Sequence, residues 1–280
     1  IMKIFSNHLY IVSTPIGNLD DITLRALEVL KKSDIILCED TRRSLKLLGY
    51  YKIKKKLLSY HKFNEKKQIS NIIEYFKEGK ILSLISDAGT PLLSDPGKLL
   101  VNECVKKEIQ VIPIPGVSSI TAAMSISGFS DKFLFYGFLP KTENELIKTL
   151  TPLSHNNFTQ IFFAPSKKIN FYIKFFKKFY SGRKLIIAKE ITKLHEAFIR
   201  KDIDELQPFK SPIKGELTLV ISEDNKKINN FDEEKIVNKV KKYLKKYSLK
   251  DTVELILETE QINKKKIYDL CLRIKNEKDL

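Results

Sequence analysis

Three short stretches carry the residues best suited to holding a small ligand. They are Thr14-Pro15-Ile16-Gly17-Asn18, Ser86-Asp87-Ala88-Gly89-Thr90-Pro91 with its continuation Ser94-Asp95-Pro96-Gly97, and Pro115-Gly116-Val117-Ser118-Ser119. Each joins Gly or Pro to small hydroxyl side chains. Glycine lets backbone approach a ligand closely, and free amides can donate to it. Taken singly, such a stretch is more often a plain turn. All three follow apolar runs of strand type, and open α/β sheets bind ligands beyond the ends of their strands. A fourth stretch, Cys38-Glu39-Asp40-Thr41-Arg42-Arg43, also follows such a run. It has two readings: Asp40 or Thr41 caps a helix with Glu39 in an ion pair, or the acids take part in chemistry.

Other chemistries find no support. There is no G-x-G-x-x-G, no G-x-x-x-x-G-K-[ST] phosphate loop and no G-x-S-x-G nucleophile elbow. No H-E-x-x-H or Cys/His cluster offers a metal site, and His8, His61, His155 and His195 lie far apart in the chain.

The elements that must position these loops follow from the hydrophobic pattern. Strands are predicted at 9–12, 34–38, 81–85 and 110–114, with helices between them. Asp20 or Asp21 is placed to cap a helix with Ile22, Leu24, Ala26, Leu27 and Leu30 inward, and a helical stretch begins at 44–48. Asn64 is placed to cap a helix carrying Ile69, Ile72, Ile73 and Phe76, and another helix runs through 99–105. This alternation predicts a mostly parallel sheet with helices on its faces. Pro113-Ile114-Pro115-Gly116 reads as a boundary, giving a first α/β domain over 1–116. A second, over 117–225, opens with a helix at 117–127 closed by Gly128. Strands follow at 133–138, 158–163, 184–188 and 217–222, with helical segments between them. Residues 225–230 read as a polar linker. Beyond it, 226–280 reads as three short helices of helix-turn-helix type. Asp232 is placed to cap the first, with Ile236, Val240, Tyr243 and Leu244 on one face; Ser248 with Asp251 forms a capping box for the next, with Val253, Ile256 and Leu257 inward; Asn263 is placed to cap the last, which carries Ile267, Leu270, Cys271 and Ile274.

The 280 residues include 42% apolar and 30% charged side chains, with no apolar run near the ~20 residues a membrane span needs. Neither a signal segment nor a disulfide framework is expected: Cys38, Cys104 and Cys271 are scattered, which fits a reducing cytoplasm. Lys+Arg is 50 against Asp+Glu 34, a net charge of +16, as expected for a polyanionic partner such as nucleic acid. The excess is nearly all lysine, 44 Lys to 6 Arg, so codon bias accounts for it equally well. The last 55 residues hold 15 cations and 10 carboxylates and are the most densely basic part.

Seven segments, in order, resemble one family: LYIVSTPIGNLDDITLRALEVL, EDTRRSLKLL, SYHKFNE, SDAGTPLLSDPG, IPIPGVSS, GFLPK and KGELTLVI. Over about residues 9 to 225 they look like the ribosomal small subunit methyltransferase I family, within the tetrapyrrole methylase-like S-adenosylmethionine enzymes. The resemblance implies 2′-O-methylation of a cytidine in 16S ribosomal RNA of the small subunit. It also implies two α/β domains with the cofactor in the cleft between them, a helical C-terminal extension and a homodimer. It places Pro15, Ile85, Ser86, Asp87, Thr90, Ser118, Ser119 and Phe163 at the cofactor, and the loop reading adds Gly17, Ala88, Gly89, Pro115 and Gly116 as cofactor candidates. Asp40 aligns with an acidic residue that related tetrapyrrole methylases are thought to use as a base, with Glu39 and Arg42 in support. Arg43, Lys167 and Lys168 become candidates for contact with RNA.

There are two departures. Relatives carry Glu-(Ala/Ser)-Pro-His-Arg where this chain has Ala164-Pro165-Ser166-Lys167-Lys168, keeping charge but losing the Glu and His. The first loop lacks the G-x-G-x-G-D of the tetrapyrrole enzymes, which argues against a porphyrinoid substrate. A small-molecule methylase of the same fold and a non-catalytic RNA-binding protein remain as alternatives. In the tail, Lys264-Lys265-Lys266 fall in the first turn of a helix, where cations oppose the dipole. A phosphate bound there would make use of both the ammonium groups and the amides.

Overall fold

The computed structural model describes residues 4–211, 213–224, 233–259 and 264–276, with the side chains at 233–235, 258 and 264–266 outside the description. The chain separates into two compact units, Ile1–Glu223 and Asp224–Leu280.

The first unit is built on two five-stranded sheets. The N-terminal sheet contains β1 (His8–Val12), β2 (Ile35–Cys38), β3 (Lys56–Ser59), β4 (Leu82–Leu84) and β5 (Gln110–Ile114), in the order β3-β2-β4-β1-β5, all parallel. Its inner strands are nearly continuous apolar runs because both faces are covered. On one face, α1 (Leu24–Lys32) and α2 (Thr41–Tyr50) pack Ala26, Val29, Leu30 and Leu48 against Tyr10, Val12, Ile36 and Cys38. On the other, α3 (Glu65–Lys77) and α4 (Lys98–Lys106) pack Ile72, Ile73, Phe76, Leu100 and Cys104 against Leu9, Ile35, Leu37 and Leu84. The period-two alternation of strand residues decides which side chain joins which layer.

The second sheet contains β6 (Phe133–Phe138), β7 (Thr159–Pro165), β8 (Lys184–Lys189), β9 (Ala197–Asp202) and β10 (Glu216–Ile221), in the order β6-β7-β10-β8-β9. Only β6 and β7 run parallel; the other pairs are antiparallel. Helices α6 (Glu143–Ser154) and α7 (Ile169–Phe179) cover one face with Leu146, Leu150, Tyr172, Ile173 and Phe176. The short α5 (Ser119–Ser125) covers part of the other, setting Ile120 and Ala123 on Ile161, Ile186, Ala188 and Val220.

Several expectations need correction. Asp20 and Asp21 do not cap α1. They lie in a 3₁₀ turn capped by Asn18, and the Ala26 amide donates to the Thr23 hydroxyl at 3.1 Å. Leu24 is 87% exposed rather than inward, because two helical residues from Ala26 is about 200° around the axis. The second helix begins at Thr41, with Asp40 as its cap, and not at Ser44. Asn64 stands at the start of α3 but its side chain caps nothing there; it accepts from the His61 amide at 2.8 Å and donates to the Ser59 carbonyl at 3.0 Å. Strand β3 was not foreseen, and neither was β9, which replaces a helix expected between β8 and β10. Both are sheet edges with mostly exposed or half-exposed side chains, which weakens the apolar signal.

In the second unit, α8 (Glu233–Tyr243), α9 (Leu249–Thr259) and α10 (Lys264–Asn276) enclose their own core of Ile236, Val240, Val253, Ile256, Ile267, Leu270, Cys271 and Ile274. These are the faces the spacing predicts. At the start of α9 the Asp251 amide donates to the Ser248 hydroxyl at 3.2 Å, and that hydroxyl donates to the Asp251 carboxylate at 2.7 Å. The caps expected at Asp232 and Asn263 lie outside the described residues.

Candidate active site

Because every strand of the N-terminal sheet is parallel, all five end at one edge, and the loops beyond them meet there. The three loops singled out in the sequence are tied together by hydrogen bonds. Thr14 and Gly89 exchange amide–carbonyl bonds of 2.9 Å in both directions, and the Thr14 hydroxyl donates to the Ser86 carbonyl at 3.2 Å. The Thr90 hydroxyl lies 3.1 Å from that of Ser13 and donates to the Val117 carbonyl at 3.1 Å, joining all three loops. Pro15, Ile85 and Ser86 are buried beneath this junction.

The glycines serve the junction. A Cβ on Gly116 would stand 2.8 Å from the Ser13 Cβ, and one on Gly89, whose φ is +80°, 3.2 Å from Ile16. Gly17 answers to the second sheet instead. A Cβ there would stand 2.7 Å from the Thr192 hydroxyl, to which the Asn18 amide donates at 3.1 Å. Its small size thus closes the two halves of the unit on each other. Ser118 precedes α5 without a side-chain capping bond, and its carbonyl accepts from the Thr121 hydroxyl at 3.1 Å.

Four carboxylates gather at the same edge. Asp40 caps α2: its Oδ1 accepts from the Arg42 amide at 2.9 Å and Nε at 3.1 Å, and its Oδ2 from Arg42 Nη2 at 2.8 Å. These bonds hold its carboxyl far below the usual carboxylate range, so Arg42 weakens its affinity for a proton. Asp87 accepts from the Asp40 amide at 3.2 Å and pairs with Arg43 at 3.1 Å, so Arg43 faces the carboxylates. Burial, then Asp87, pushes Glu39 upward against the pull of His61 and Arg43. Asp95 is pushed up to about 6, first by burial and then by the negative charge of Glu39, with a Ser86 hydrogen bond opposing.

His61 was not among the sequence candidates, and Asp95 entered only as part of its loop, with no role of its own. The signal for Asp95 was the repeated Ser-Asp within one loop, Ser86-Asp87 and Ser94-Asp95. That loop also holds Leu92 at φ +71° and Ser94 at φ +74°, conformations that side chains rarely adopt and that concentrate at functional sites.

On the second sheet, Phe163 is half-buried in a cluster that includes Ile16 of the first loop. Phe135 and Phe138 meet its ring edge-on, with centroids at 5.0 and 5.2 Å. Lys167 is exposed beyond β7, whereas Lys168 donates to the Lys141 carbonyl at 2.6 Å. The side chains of Lys264, Lys265 and Lys266 lie outside the description. Among the described residues, no group of three or more His, Cys, Asp or Glu could hold a metal ion, and no helix is long and apolar enough to cross a membrane.

A parallel sheet joined to a mixed one, with three interlocked Gly- and Pro-bearing loops at the parallel sheet's strand ends, defines the class. Residues 8–207 match the model for Tetrapyrrole (Corrin/Porphyrin) Methylases. A uroporphyrin-III C-methyltransferase from Thermus thermophilus, solved with S-adenosylhomocysteine, shares the fold with a TM-score of 0.56 at 15% identity, over 78% of this chain and 99% of that one. Within the class, the chain belongs to the ribosomal RNA small subunit methyltransferase I family. The Thermotoga maritima member is 44% identical over 76% of this chain and 97% of its own length. The Buchnera aphidicola member is 38% identical over 95% of this chain and 96% of its own, an alignment long enough to include helical-tail residues.

Proposed function

We propose that this chain is an S-adenosylmethionine-dependent methyltransferase that 2′-O-methylates a cytidine ribose in 16S ribosomal RNA of the small subunit. The observation that carries the reading is the 44% identity to a ribosomal RNA small subunit methyltransferase I across 97% of that protein.

The residues at the sheet edge suit this cofactor. It carries an ammonium and a sulfonium charge, and Glu39, Asp87 and Asp95 form an acidic patch on a chain of net charge +16. Its adenine needs an apolar wall, which Ile16 and Phe163 offer, and the hydroxyls of Ser13 and Thr90 stand between the loops. In this reading Pro15, Ile85, Ser86, Asp87, Ala88, Gly89, Thr90, Pro115, Gly116, Ser118 and Ser119 make the pocket, and Gly17 closes it. S-adenosylmethionine supplies an activated methyl group and its leaving group. The chain's own task is to exclude water and align the ribose hydroxyl. As the hydroxyl proton leaves, Glu39 and Asp95 are better acceptors than Asp40, because burial raises their basicity while Arg42 lowers that of Asp40. Asp40 and Arg42 instead fix the start of α2, which carries Arg43 to Asp87.

Residues 1–116 and 117–225 act as the two walls of the cleft, and 226–280 as a basic module that docks on RNA backbone through Lys264, Lys265 and Lys266. The enzyme works in the cytoplasm as a homodimer; three free, buried thiols accord with a reducing compartment. The test is transfer of tritiated methyl to small subunits lacking the modification, followed by mapping of the labelled nucleotide. Label on a cytidine 2′-oxygen supports the reading. Label on a base, or on no RNA at all, overturns it.

A further inference from the structure

The segment Gly137-Phe138-Leu139-Pro140-Lys141 has no part in the pocket described so far, yet it borders it. Strand β6 is the edge of the second sheet, and its register against β7 shifts between Phe135 and Gly137. In a regular strand, residues three apart point to opposite faces. The bulge removes that alternation, so both Phe135 and Phe138 reach the same ring, Phe163. Gly137 sits in the bulge at φ +100°, where side chains are strained, and a Cβ there would stand 3.1 Å from the Ser94 hydroxyl. The bulge is therefore pressed against the loop that carries Asp95. The outcome is a ledge of three rings beside the carboxylates, half-buried at Phe163 and open at Phe138, which is 61% exposed.

Cations frame the open end. Lys141 and Lys167 are exposed, one beyond β6 and the other beyond the adjacent β7. The Lys168 ammonium, donating to the Lys141 carbonyl at 2.6 Å, pins the two strand ends together. A solvent-facing aromatic ring flanked by lysines is the arrangement that binds unpaired nucleotides, with the base on the ring and the phosphate on the ammonium groups.

Resting on the methyltransferase reading above, we propose that Phe138 is the stacking platform for an unpaired base of the RNA substrate and that Lys141 and Lys167 hold the adjoining phosphate. Nothing on the ledge reads base edges by hydrogen bonds, so it supplies affinity and positioning rather than sequence choice. The acidic patch next to it admits the ribose and repels phosphate, which directs the backbone outward to the lysines.

The test uses the full chain with unmodified small subunits and, separately, calorimetric titration with S-adenosylhomocysteine. Phe138→Ala and Phe138→Leu are expected to lower kcat/KM for subunits by about 5- to 100-fold, the range for loss of one stacked base. Phe138→Tyr should restore it to within about twofold, since the ring is kept. All three should bind S-adenosylhomocysteine as the parent does. Lys141→Gln should reduce the slope of log affinity on log salt by about 0.7. Three results overturn the proposal: a Leu variant equal to the parent, which makes the ring mere apolar cover; S-adenosylhomocysteine affinity falling in step with activity, which puts the ring in the cofactor pocket; or a changed oligomeric state with RNA affinity intact. A parent chain that labels no subunit refutes the functional reading instead. The ledge is then read by fluorescence anisotropy with a labelled oligocytidylate, where equal affinity of parent and Phe138→Ala refutes it separately.

Discussion

Asp95→Asn should stabilise the protein at pH 8 and leave it nearly unchanged at pH 4. The carboxyl of Asp95 sits at about 6 in the fold against an ordinary 3.8. The folded state therefore holds the proton more tightly than the unfolded chain does. The contribution to stability is fully present below 3.8 and is lost as pH rises through 6, above which the fold carries a poorly solvated anion. Since a tenfold change in proton affinity is about 1.4 kcal/mol, the loss is on the order of 2 kcal/mol, allowing for the partial exposure of the group. The charged groups around it agree in sign: Glu39 and Asp87 are negative, and Arg43 is paired to Asp87. Asparagine keeps the shape and cannot ionise, so it removes this cost. With no tryptophan and 11 tyrosines, unfolding in urea is best followed by tyrosine fluorescence and far-ultraviolet circular dichroism, at pH 4 and at pH 8. Parent and variant should diverge only at the higher pH. Equal differences at both values, or a less stable variant at pH 8, would refute the claim that burial and Glu39 set this carboxyl.

Other outcomes follow from the same geometry. Gly116→Ala drives a methyl into the Ser13 Cβ at 2.8 Å; it should cost about 1–3 kcal/mol and weaken S-adenosylhomocysteine binding in calorimetry, whereas Gly49→Ala, where no atom lies within 4 Å of the added Cβ, should do neither. Asp40→Ala should melt below the parent through its missing cap, while Asp40→Asn, which still accepts from the helix amide, should keep single-turnover methyl transfer within a few-fold of the parent. Replacing Lys264, Lys265 and Lys266 with Gln should flatten the salt dependence of RNA binding by about 0.7–0.9 per lost phosphate contact and leave cofactor affinity unchanged; an unaltered slope would make the tail a purely structural module.

The parts legible in the sequence are those fixed by local pattern. The run 110–114 is a strand to the residue, because an apolar stretch between a polar turn and Pro115-Gly116 leaves little else to form. The inward faces of the three tail helices were also correct, since helical spacing there meets no competing tertiary demand. The errors lie where a side chain serves a partner remote in sequence. Asn64 has the right type for a cap, but the 59–61 segment occupies both ends of its amide. The packing of Gly17 on Thr192 and Lys193 was likewise not visible, because no local pattern reveals a contact so remote in sequence. Asp95 stood in a candidate loop without a role of its own for the same reason: its character comes from burial and from Glu39, which belongs to another strand's loop.

The charge distribution gives a physical reason for the two-sheet design. A +16 chain draws a polyanion to its surface at long range, but a site of uniform positive charge would repel a cationic cofactor. The chain separates the two demands. Carboxylates come from the strand ends β2 and β4 and the loop before α4, so they lie together at the edge of the parallel sheet. Exposed lysines and aromatic rings come from β6 and β7 in the other sheet. A nucleotide whose phosphate sits on the lysines and whose ribose reaches the carboxylates must lie across the junction, where Gly137 meets Ser94 and Gly17 meets Thr192. Without those glycines the sheets would stand further apart, and the two halves of the substrate's charge pattern would no longer be matched within the span of one nucleotide.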